Sequence, residues 1–302
     1  MKHEKFHYKS IEEIQEKAEE LHIQLPFAKD TSCLAAPLYI KERELPNRLG
    51  IAPMEGADSL PDGSPSDYTR RRYVREAEGG SALIWFEAIS IVEEGRSSKT
   101  QLLLTEKNLD SYKRLVQEVK EAGLKANGYA PYLVMQANHS GRYSNPDNRP
   151  APMIAYRHPQ LAKEAGFDAV DIKSCHGYLL AELTSAYTRP GKYGGSYENR
   201  TRLLKNAIQA AKAYETKEFD VTCRLGIYDG YEYPWGFGVS EGGGLAPDYR
   251  EPIRLVKELH QGYGLNMMCL TMGNPYATTH VTRPYDMGKY VPEEHPLEGI
   301  AR

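Results

Sequence analysis

The sequence predicts an α/β protein built as an incomplete (β/α)8-type barrel with about six β/α units. Short apolar runs alternate with amphipathic stretches along most of the chain, which is the pattern of repeated βαβ units. Because parallel neighbours need a crossover connection, this alternation favours a parallel sheet. The chain has neither GxGxxG nor GxxxxGK[ST], the glycine motifs expected of the competing doubly wound nucleotide-binding sheets.

The first predicted element is a helix within an N-terminal segment of residues 1–25. Ser10 is placed to cap this helix, and Glu13 follows three residues later as in a capping box. Four apolar residues then share one helical face: Ile11, Ile14, Ala18 and Leu21. We expect the helix to end at Pro26 and residues 26–302 to form the barrel domain.

Six strands and four long helices are predicted after this segment. The strands are Leu49–Met54, Ala82–Ile91, Tyr132–Gln136, Ala169–Ile172, Val221–Ile227 and Leu265–Thr271. The helices are Asp67–Glu78, Asn108–Ala122, Ser196–Tyr214 and Asp248–Tyr263. Side chains that could take part in binding or catalysis lie within or just after several different strands: Glu55, Glu87, His139, Arg142, Lys173, His176, Tyr178, Arg224 and Asn274. A site dispersed over many strand ends is typical of barrels, which build it at the carboxyl ends of the strands.

The composition excludes several classes of partner. With 38 Lys and Arg against 41 Asp and Glu, the formal net charge of −3 gives no reason to expect nucleic acid or an acidic membrane. No apolar run reaches the ~18 residues of a membrane span, and the first residues are charged where a signal peptide is apolar, so we expect a cytoplasmic protein. The four cysteines form no cluster, which predicts no iron–sulfur centre and no other metal.

The third strand ends in the string Gln136-Ala-Asn-His-Ser-Gly-Arg142. Strand alternation places Gln136 and Asn138 on the same side, and a primary amide both donates and accepts hydrogen bonds. Such a group suits the uracil-like edge of a planar ring, which the backbone can approach closely at Gly141. A polar network at the barrel mouth, without any ligand, is the alternative.

The fourth strand continues into Lys173-Ser-Cys-His-Gly-Tyr178. Lys173 and His176 can donate to one oxygen, and Tyr178 can deliver a proton beside them, since the reference pKa of a phenol is ~10. This set fits reduction of an enone, in which two donors polarise the carbonyl, hydride reaches the β-carbon and an acid protonates the α-carbon. Taken singly, the lysine fits a solvated charge, the histidine a structural role and the tyrosine simple packing.

Arg224 lies inside the fifth predicted strand, where an unpaired buried charge is costly. It therefore needs an anion, solvent, or an ion pair with an interior carboxylate such as Glu87 or Asp171. Residues 188–200 combine a glycine turn with Ser196 as a helix N-cap. From physics alone, that stretch is a structural loop and helix start.

Four of these strings, in this order, resemble the old yellow enzyme family of FMN-dependent NADH:flavin oxidoreductases, including its 2,4-dienoyl-CoA reductase branch. They are Ala52-Pro-Met-Glu-Gly56, Gln136 to Arg142, His176-Gly-Tyr-Leu179 and Tyr193-Gly-Gly-Ser-Tyr-Glu-Asn-Arg200. The resemblance extends from about Pro26 to the end of the chain. It implies a (β/α)8 barrel that holds FMN, is reduced by NADH or NADPH, and is reoxidised by an electron-poor alkene.

The resemblance also implies roles for individual residues. Four of them would line the flavin: Pro53, Met54, Gln136 and Arg224. Lys173 and His176 occupy positions that hold His/His or His/Asn in the family and bind the substrate carbonyl, and Tyr178 takes the place of the proton donor. Glu55 stands at the flavin where many relatives have Thr or Cys near N5. Because an ionised carboxylate there would disfavour the reduced anionic flavin, we expect Glu55 to turn away or stay protonated.

Two parts of the chain differ from the family pattern. Between Arg142 and Ala169, Pro146, Pro150, Pro152 and Pro159 leave only residues 160–165 for a helix, whereas relatives have a full crossover helix. After Tyr276, a proline-bearing loop runs to Arg302, which leaves no residues for barrel strands seven and eight. Family members hold the FMN phosphate at those strands, as phosphate-binding barrels commonly do.

An open six-stranded barrel would leave two sheet edges and its apolar interior exposed. Three explanations fit: a C-terminally truncated fragment; closure by the N-terminal segment or by another chain, as in a homo-oligomer; or loss of flavin binding. The leading function is hydride transfer from NAD(P)H through FMN to a small α,β-unsaturated carbonyl compound, an enoate or dienoyl substrate. The alternatives are a flavin-free remnant acting as an interaction or scaffold protein, and a lyase or isomerase that uses Lys173 as a Schiff-base amine.

Overall fold

The computed structural model describes residues 7–28, 30–145 and 159–276, and these contain eight strands and seven α-helices. The strands are β1 (Leu38–Ile40), β2 (Arg43–Leu45), β3 (Gly50–Ile51), β4 (Leu83–Ser90), β5 (Tyr132–Asn138), β6 (Ala169–Ser174), β7 (Asp220–Tyr228) and β8 (Met268–Met272). The helices are α1 (Ile11–Glu20), α2 (Asp67–Glu78), α3 (Leu109–Asn127), α4 (Pro159–Glu164), α5 (Leu179–Thr184), α6 (Tyr197–Lys212) and α7 (Arg250–Gln261).

Strands β3 to β8 form one sheet in chain order, and every neighbouring pair is parallel. Each connection between neighbouring strands carries at least one helix, as a parallel sheet requires. Unbroken chain order with helical crossovers is the connectivity of an α/β barrel. The predicted incomplete barrel of six strands is therefore confirmed.

The central strands of the sheet, β4 to β7, are buried on both faces. The outer face packs against the helices in the main apolar cluster, which includes Ile84, Phe86, Leu133 and Val170. The inner face forms a second cluster through Trp85, Tyr132, Val134 and Ala169. Because both faces of these central strands are covered, they read as continuous apolar runs rather than as alternating patterns, and such runs predicted their positions.

An antiparallel hairpin of β1 and β2, which the sequence analysis did not predict, packs on the inner cluster. Ile40 and Leu45 cover the amino-terminal end of the strands. Arg43 pairs with Asp168 at 2.6 Å, and Lys41 pairs with Asp220. Two strands of three residues each are too short for their alternation to stand out, so only the packing identifies them.

The four long helices lie where they were predicted, but α3 ends at Asn127 instead of Ala122, and α5 was not predicted. Helix α2 has the predicted bounds, and α4 is the short crossover that the prolines indicate. Helix α1 begins after Ser10 as predicted, but the prediction that it ends at Pro26 is wrong, because it ends at Glu20. Its predicted apolar face is mostly exposed, so no tertiary packing extends the helix beyond its last stable turn.

Among the described residues, β3 and β8 each pair with a single strand and so form the two edges of the sheet. The residues of β8 are half-buried or exposed. The predicted loop at 277–302 and the prolines at 146, 150 and 152 lie outside the described residues. Within the described ranges, every helix is too short or too polar to serve as a transmembrane segment.

Candidate active site

Lys173, His176 and Tyr178 lie together at the carboxyl end of β6. Lys173 is the fifth residue of the strand, and Tyr178 is the N-cap of α5. His176 and Gly177 connect them in left-handed conformations, with φ of 63° and 69°, so the chain turns sharply enough for α5 to start beside the strand end. As a result, the Lys173 Nζ lies 3.9 Å from the centroid of the Tyr178 ring.

The carboxylate of Glu55, from the loop after β3, points into this group rather than away from it. Its Oε1 lies 3.7 Å from Lys173 Nζ and accepts a hydrogen bond from Tyr178 Oη at 3.3 Å. Ser97 Oγ and Gln101 Nε2 donate to the same carboxylate at 3.4 Å and 3.3 Å. Three hydrogen-bond donors and the Lys173 amine, from two different strand-end regions, therefore surround one acid.

Tyr276, which the sequence analysis did not identify as functional, completes this group. Its Oη lies 2.6 Å from Tyr178 Oη, and its ring stacks on Tyr143 with centroids 4.2 Å apart. The backbone N–H of Tyr276 donates to Asn274 Oδ1 at 2.9 Å. The only sequence signal was position, because Tyr276 follows the last predicted strand as Tyr178 follows the fourth.

Burial sets the protonation states of these groups. It raises the pKa of Tyr178, and the Glu55 charge raises it further, so the phenol is a proton donor at neutral pH. Burial lowers the pKa of Lys173, against the attraction of Glu55. Burial, with the nearby charges of Lys173 and Arg224, lowers the pKa of His176 to about 3. At neutral pH, His176 is therefore a neutral imidazole with a single N–H donor.

Arg224, directly across from Lys173 in the β6–β7 pairing, does not form the ion pair that was the alternative to a ligand. Its Nη1 donates to the carbonyl of Pro53 at 2.9 Å, and its Nε is buried without a hydrogen-bond partner among the described residues. Of the two candidate carboxylates, Glu87 pairs with Arg72 at 2.5 Å, and Asp171 bonds the backbone N–H of Arg224 rather than its guanidinium.

Asp171 organises the predicted ring-facing residues. It accepts hydrogen bonds from Trp85 Nε1 at 3.0 Å and from Gln136 Nε2 at 2.6 Å. Burial raises its pKa to about 6. Asp171 thereby links the Gln136 amide to the backbone N–H of Arg224, whereas Met54 is 76% exposed and lies at the surface.

The other candidates are more dispersed. Arg142 pairs with Glu182 of α5 at 2.8 Å on the surface, and Glu87 belongs to the ion pair with Arg72. His139 Nδ1 accepts from the backbone N–H of Gly141 at 3.0 Å. These contacts stabilise the loops around the site and add no group to it.

The stretch that ends at Arg200 is structural, as its physics indicated. Ser196 Oγ accepts from the N–H of Asn199 at 3.3 Å and caps α6. The Arg200 side chain is buried and donates to three oxygens: Gly195 O at 2.9 Å, Thr184 O at 2.5 Å and Glu251 Oε1 at 2.6 Å. One guanidinium thus joins the loop, the end of α5 and the start of α7.

The fold and this group define an α/β-barrel protein with a candidate active site at the carboxyl ends of its strands. The sequence model of the NADH:flavin oxidoreductase / NADH oxidase family matches residues 33–159 and 155–238. The chain belongs to this family, which confirms the predicted resemblance.

Among curated relatives, the NADPH dehydrogenase of Clostridium acetobutylicum is 32% identical over 230 residues, which cover 67% of this chain and 65% of that protein. The NADPH dehydrogenase of Bacillus subtilis is 29% identical over 208 residues, covering 59% of this chain and 60% of that protein. The chain thus spans less than two thirds of the length of these relatives.

Solved structures share the fold. A 2-naphthoyl-CoA reductase in complex with 2-naphthoyl-CoA superposes with a TM-score of 0.66 at 19% identity, covering 80% of this chain and 41% of that chain. The old yellow enzyme of Pichia sp. AKU4542 superposes with a TM-score of 0.62 at 22% identity, covering 79% and 70%. At these identities the likeness supports the barrel architecture alone.

The Arg224 guanidinium fits the flavin that the family description names. A cation with a buried, unpartnered Nε is costly as it stands, and an acceptor atom of an anionic ring would satisfy it. The Pro53 carbonyl on the other side of the guanidinium fixes its position. The ring-facing part of the site is therefore compatible with FMN.

The buried His176 predicts a specific loss of stability in acid. A folded-state pKa of about 3, below the unfolded value of ~6.5, means that the unfolded chain binds the proton first as the pH falls. Between pH 7 and pH 5 we expect this group alone to lower the free energy of unfolding by about 1–2 kcal/mol. Urea unfolding of the protein and of His176→Asn, which tolerates the left-handed backbone, measures the difference. Equal losses in both proteins would contradict the assignment.

Proposed function

We propose that this chain binds FMN and transfers hydride from NADH or NADPH to the alkene of an α,β-unsaturated carbonyl compound. Membership of a flavin oxidoreductase family and the name NADPH dehydrogenase carried by relatives support the first half of this reaction. The observation that carries the second half is the convergence of Lys173, His176 and Tyr178 at one strand end, beside the flavin-compatible residues.

Each group has one task in this proposal. When bound, FMN supplies the two-electron hydride chemistry that side chains lack. Arg224 and the Pro53 carbonyl hold the polar end of the ring. The N–H donors of Lys173 and His176 bind the carbonyl oxygen of the substrate and stabilise the negative charge that develops there. Tyr178 gives its phenolic proton to the α-carbon.

Flavin binding is the first test. We expect the purified protein to show a visible flavin spectrum or to acquire one on incubation with FMN. A preparation that stays colourless would favour the alternative of a flavin-free scaffold protein.

We further expect Arg224→Met to weaken FMN binding by about 10- to 100-fold, because a hydrogen bond from a charged donor contributes roughly 1.5–3 kcal/mol. Fluorescence titration with FMN measures the change. Arg142→Met is the matched control, since Arg142 pairs with Glu182 on the surface, and it should bind FMN like the unmodified protein. Equal affinity in the two variants would remove Arg224 from the flavin site.

A further inference from the structure

The Tyr178 phenol must regain its proton after each turnover, yet it is almost inaccessible to solvent. The residue is only 3% exposed. Its raised pKa makes the tyrosinate left after proton transfer a strong base, but a base still needs a donor within reach. Two described side chains hydrogen-bond to its oxygen, Glu55 and Tyr276.

The geometry separates the roles of these two partners. Glu55 accepts hydrogen bonds from Ser97 and Gln101 as well as from Tyr178, and it lies 3.7 Å from Lys173 Nζ. Because Tyr178 Oη donates to Glu55 Oε1, Glu55 is the acceptor of this pair and not the source of the proton. If the Tyr178 hydroxyl donates to Glu55, its own oxygen is left to accept from Tyr276, which lies 2.6 Å away. The chain of hydrogen bonds then runs from Tyr276 to Tyr178 to Glu55.

Tyr276 is suited to be the source of the proton because it reaches solvent. It is 51% exposed, in contrast to the buried Tyr178. Stacking on Tyr143 and the bond to Asn274 hold its hydroxyl in place. A proton from water therefore has a path of two phenols into the site.

We propose that Tyr276 is a proton-relay residue that passes a proton from solvent to the deprotonated Tyr178. Glu55 is the positioning residue that orients the Tyr178 hydroxyl. The inference rests on the proposed reduction of an unsaturated carbonyl compound. The O–H bond of Tyr178 breaks as a C–H bond forms at the α-carbon. The hydroxyl proton of Tyr276 then moves to the Tyr178 phenolate, and water returns a proton to Tyr276. The net transfer is one proton from solvent to the α-carbon.

The test separates the first turnover from the following ones in FMN-loaded protein. In Tyr276→Phe, we expect the first reduction of cyclohexenone by pre-reduced protein to keep its rate, because Tyr178 already carries its proton. Steady-state reduction should fall by about tenfold and recover when a small acid such as imidazolium is added. Tyr143→Phe, which removes a neighbouring hydroxyl that does not bond to Tyr178, should behave as the unmodified protein. Unchanged steady-state turnover in Tyr276→Phe would overturn the relay.

A second measurement does not depend on activity. With tyrosine ¹³C-labelled at Cζ, the Tyr178 resonance is the one absent in Tyr178→Phe. It should shift in Tyr276→Phe and stay in place in Tyr143→Phe. An unshifted resonance in Tyr276→Phe would exclude the hydrogen bond and with it the relay. If the unmodified protein reduces no alkene while the resonance shifts, the proposed function fails and the phenol pair stands without its catalytic role, which also overturns the relay.

Discussion

Tyr178→Phe should slow the reduction of an unsaturated ketone by about 10²- to 10⁴-fold in the FMN-loaded protein, the range that a positioned general acid contributes. Reduction of the flavin by NADPH should stay within about twofold, because that step needs no proton from Tyr178. The substitution removes only a hydroxyl, and the ring that packs under Lys173 remains. Stopped-flow absorbance of the flavin measures the two half-reactions separately.

Tyr143→Phe provides the control for this experiment. The Tyr143 ring contacts the Tyr178 ring edge to face, with centroids 5.9 Å apart, so the control changes the same aromatic cluster but leaves the proposed acid intact. Equal slowing of both half-reactions in Tyr178→Phe would show that the variant perturbs flavin binding and would refute the role of Tyr178 as the acid.

Arg200→Leu should lower the free energy of unfolding by about 3–5 kcal/mol, the cost of removing one partner from a buried, charged hydrogen-bond network. The substitution leaves the carbonyls of Gly195 and Thr184 without this donor and releases Glu251 at the start of α7. Thr184 is buried, so its carbonyl cannot turn to water and the lost bond is not simply replaced. Urea unfolding at neutral pH measures the change.

Arg202→Leu is the matched control for this second experiment. It lies two residues further along α6 and is exposed, so its loss should change stability by no more than about 0.5 kcal/mol. Arg200→Lys, which keeps the charge but loses the planar fork of donors, should fall between the two. A loss in Arg200→Leu no larger than in Arg202→Leu would contradict the structural role of this guanidinium.

The sequence predicted the sheet because its central strands, β4 to β7, are buried on both faces and read as apolar runs. It predicted the long helices because their period differs from that of the strands. It did not predict the β1–β2 hairpin, whose strands are too short to show a period. Nor could it locate the end of α1 correctly, because the length of this helix depends on packing that its largely exposed apolar face lacks.

The candidate site was predictable where its residues are close in sequence and unpredictable where they are distant. Lys173, His176 and Tyr178 fall within one strand end. The family resemblance placed Glu55 at the flavin, but its contact with Tyr178 and the place of Tyr276 in the site were not predicted. Glu55 and Tyr276 lie 123 and 98 residues from Tyr178 along the chain, and no local pattern connects side chains over such separations. For Arg224, the sequence indicated that the buried guanidinium needs an anion, solvent or a carboxylate. Only the structure shows that its partner is the backbone carbonyl of Pro53.

The position of β8 at the edge of the described sheet has a consequence for the lifetime of the contact between Tyr276 and Tyr178. This strand bears Thr271, whose Oγ1 lies 3.4 Å from His176 Nε2, and it leads directly to Tyr276. A peripheral strand frays more readily than a central one, and its amide hydrogens exchange sooner. Each fraying event would detach Tyr276 and Thr271 while the contact between Lys173 and Glu55 persists. The equilibrium between the paired and the frayed strand would therefore set the fraction of molecules in which Tyr276 contacts Tyr178 at any moment.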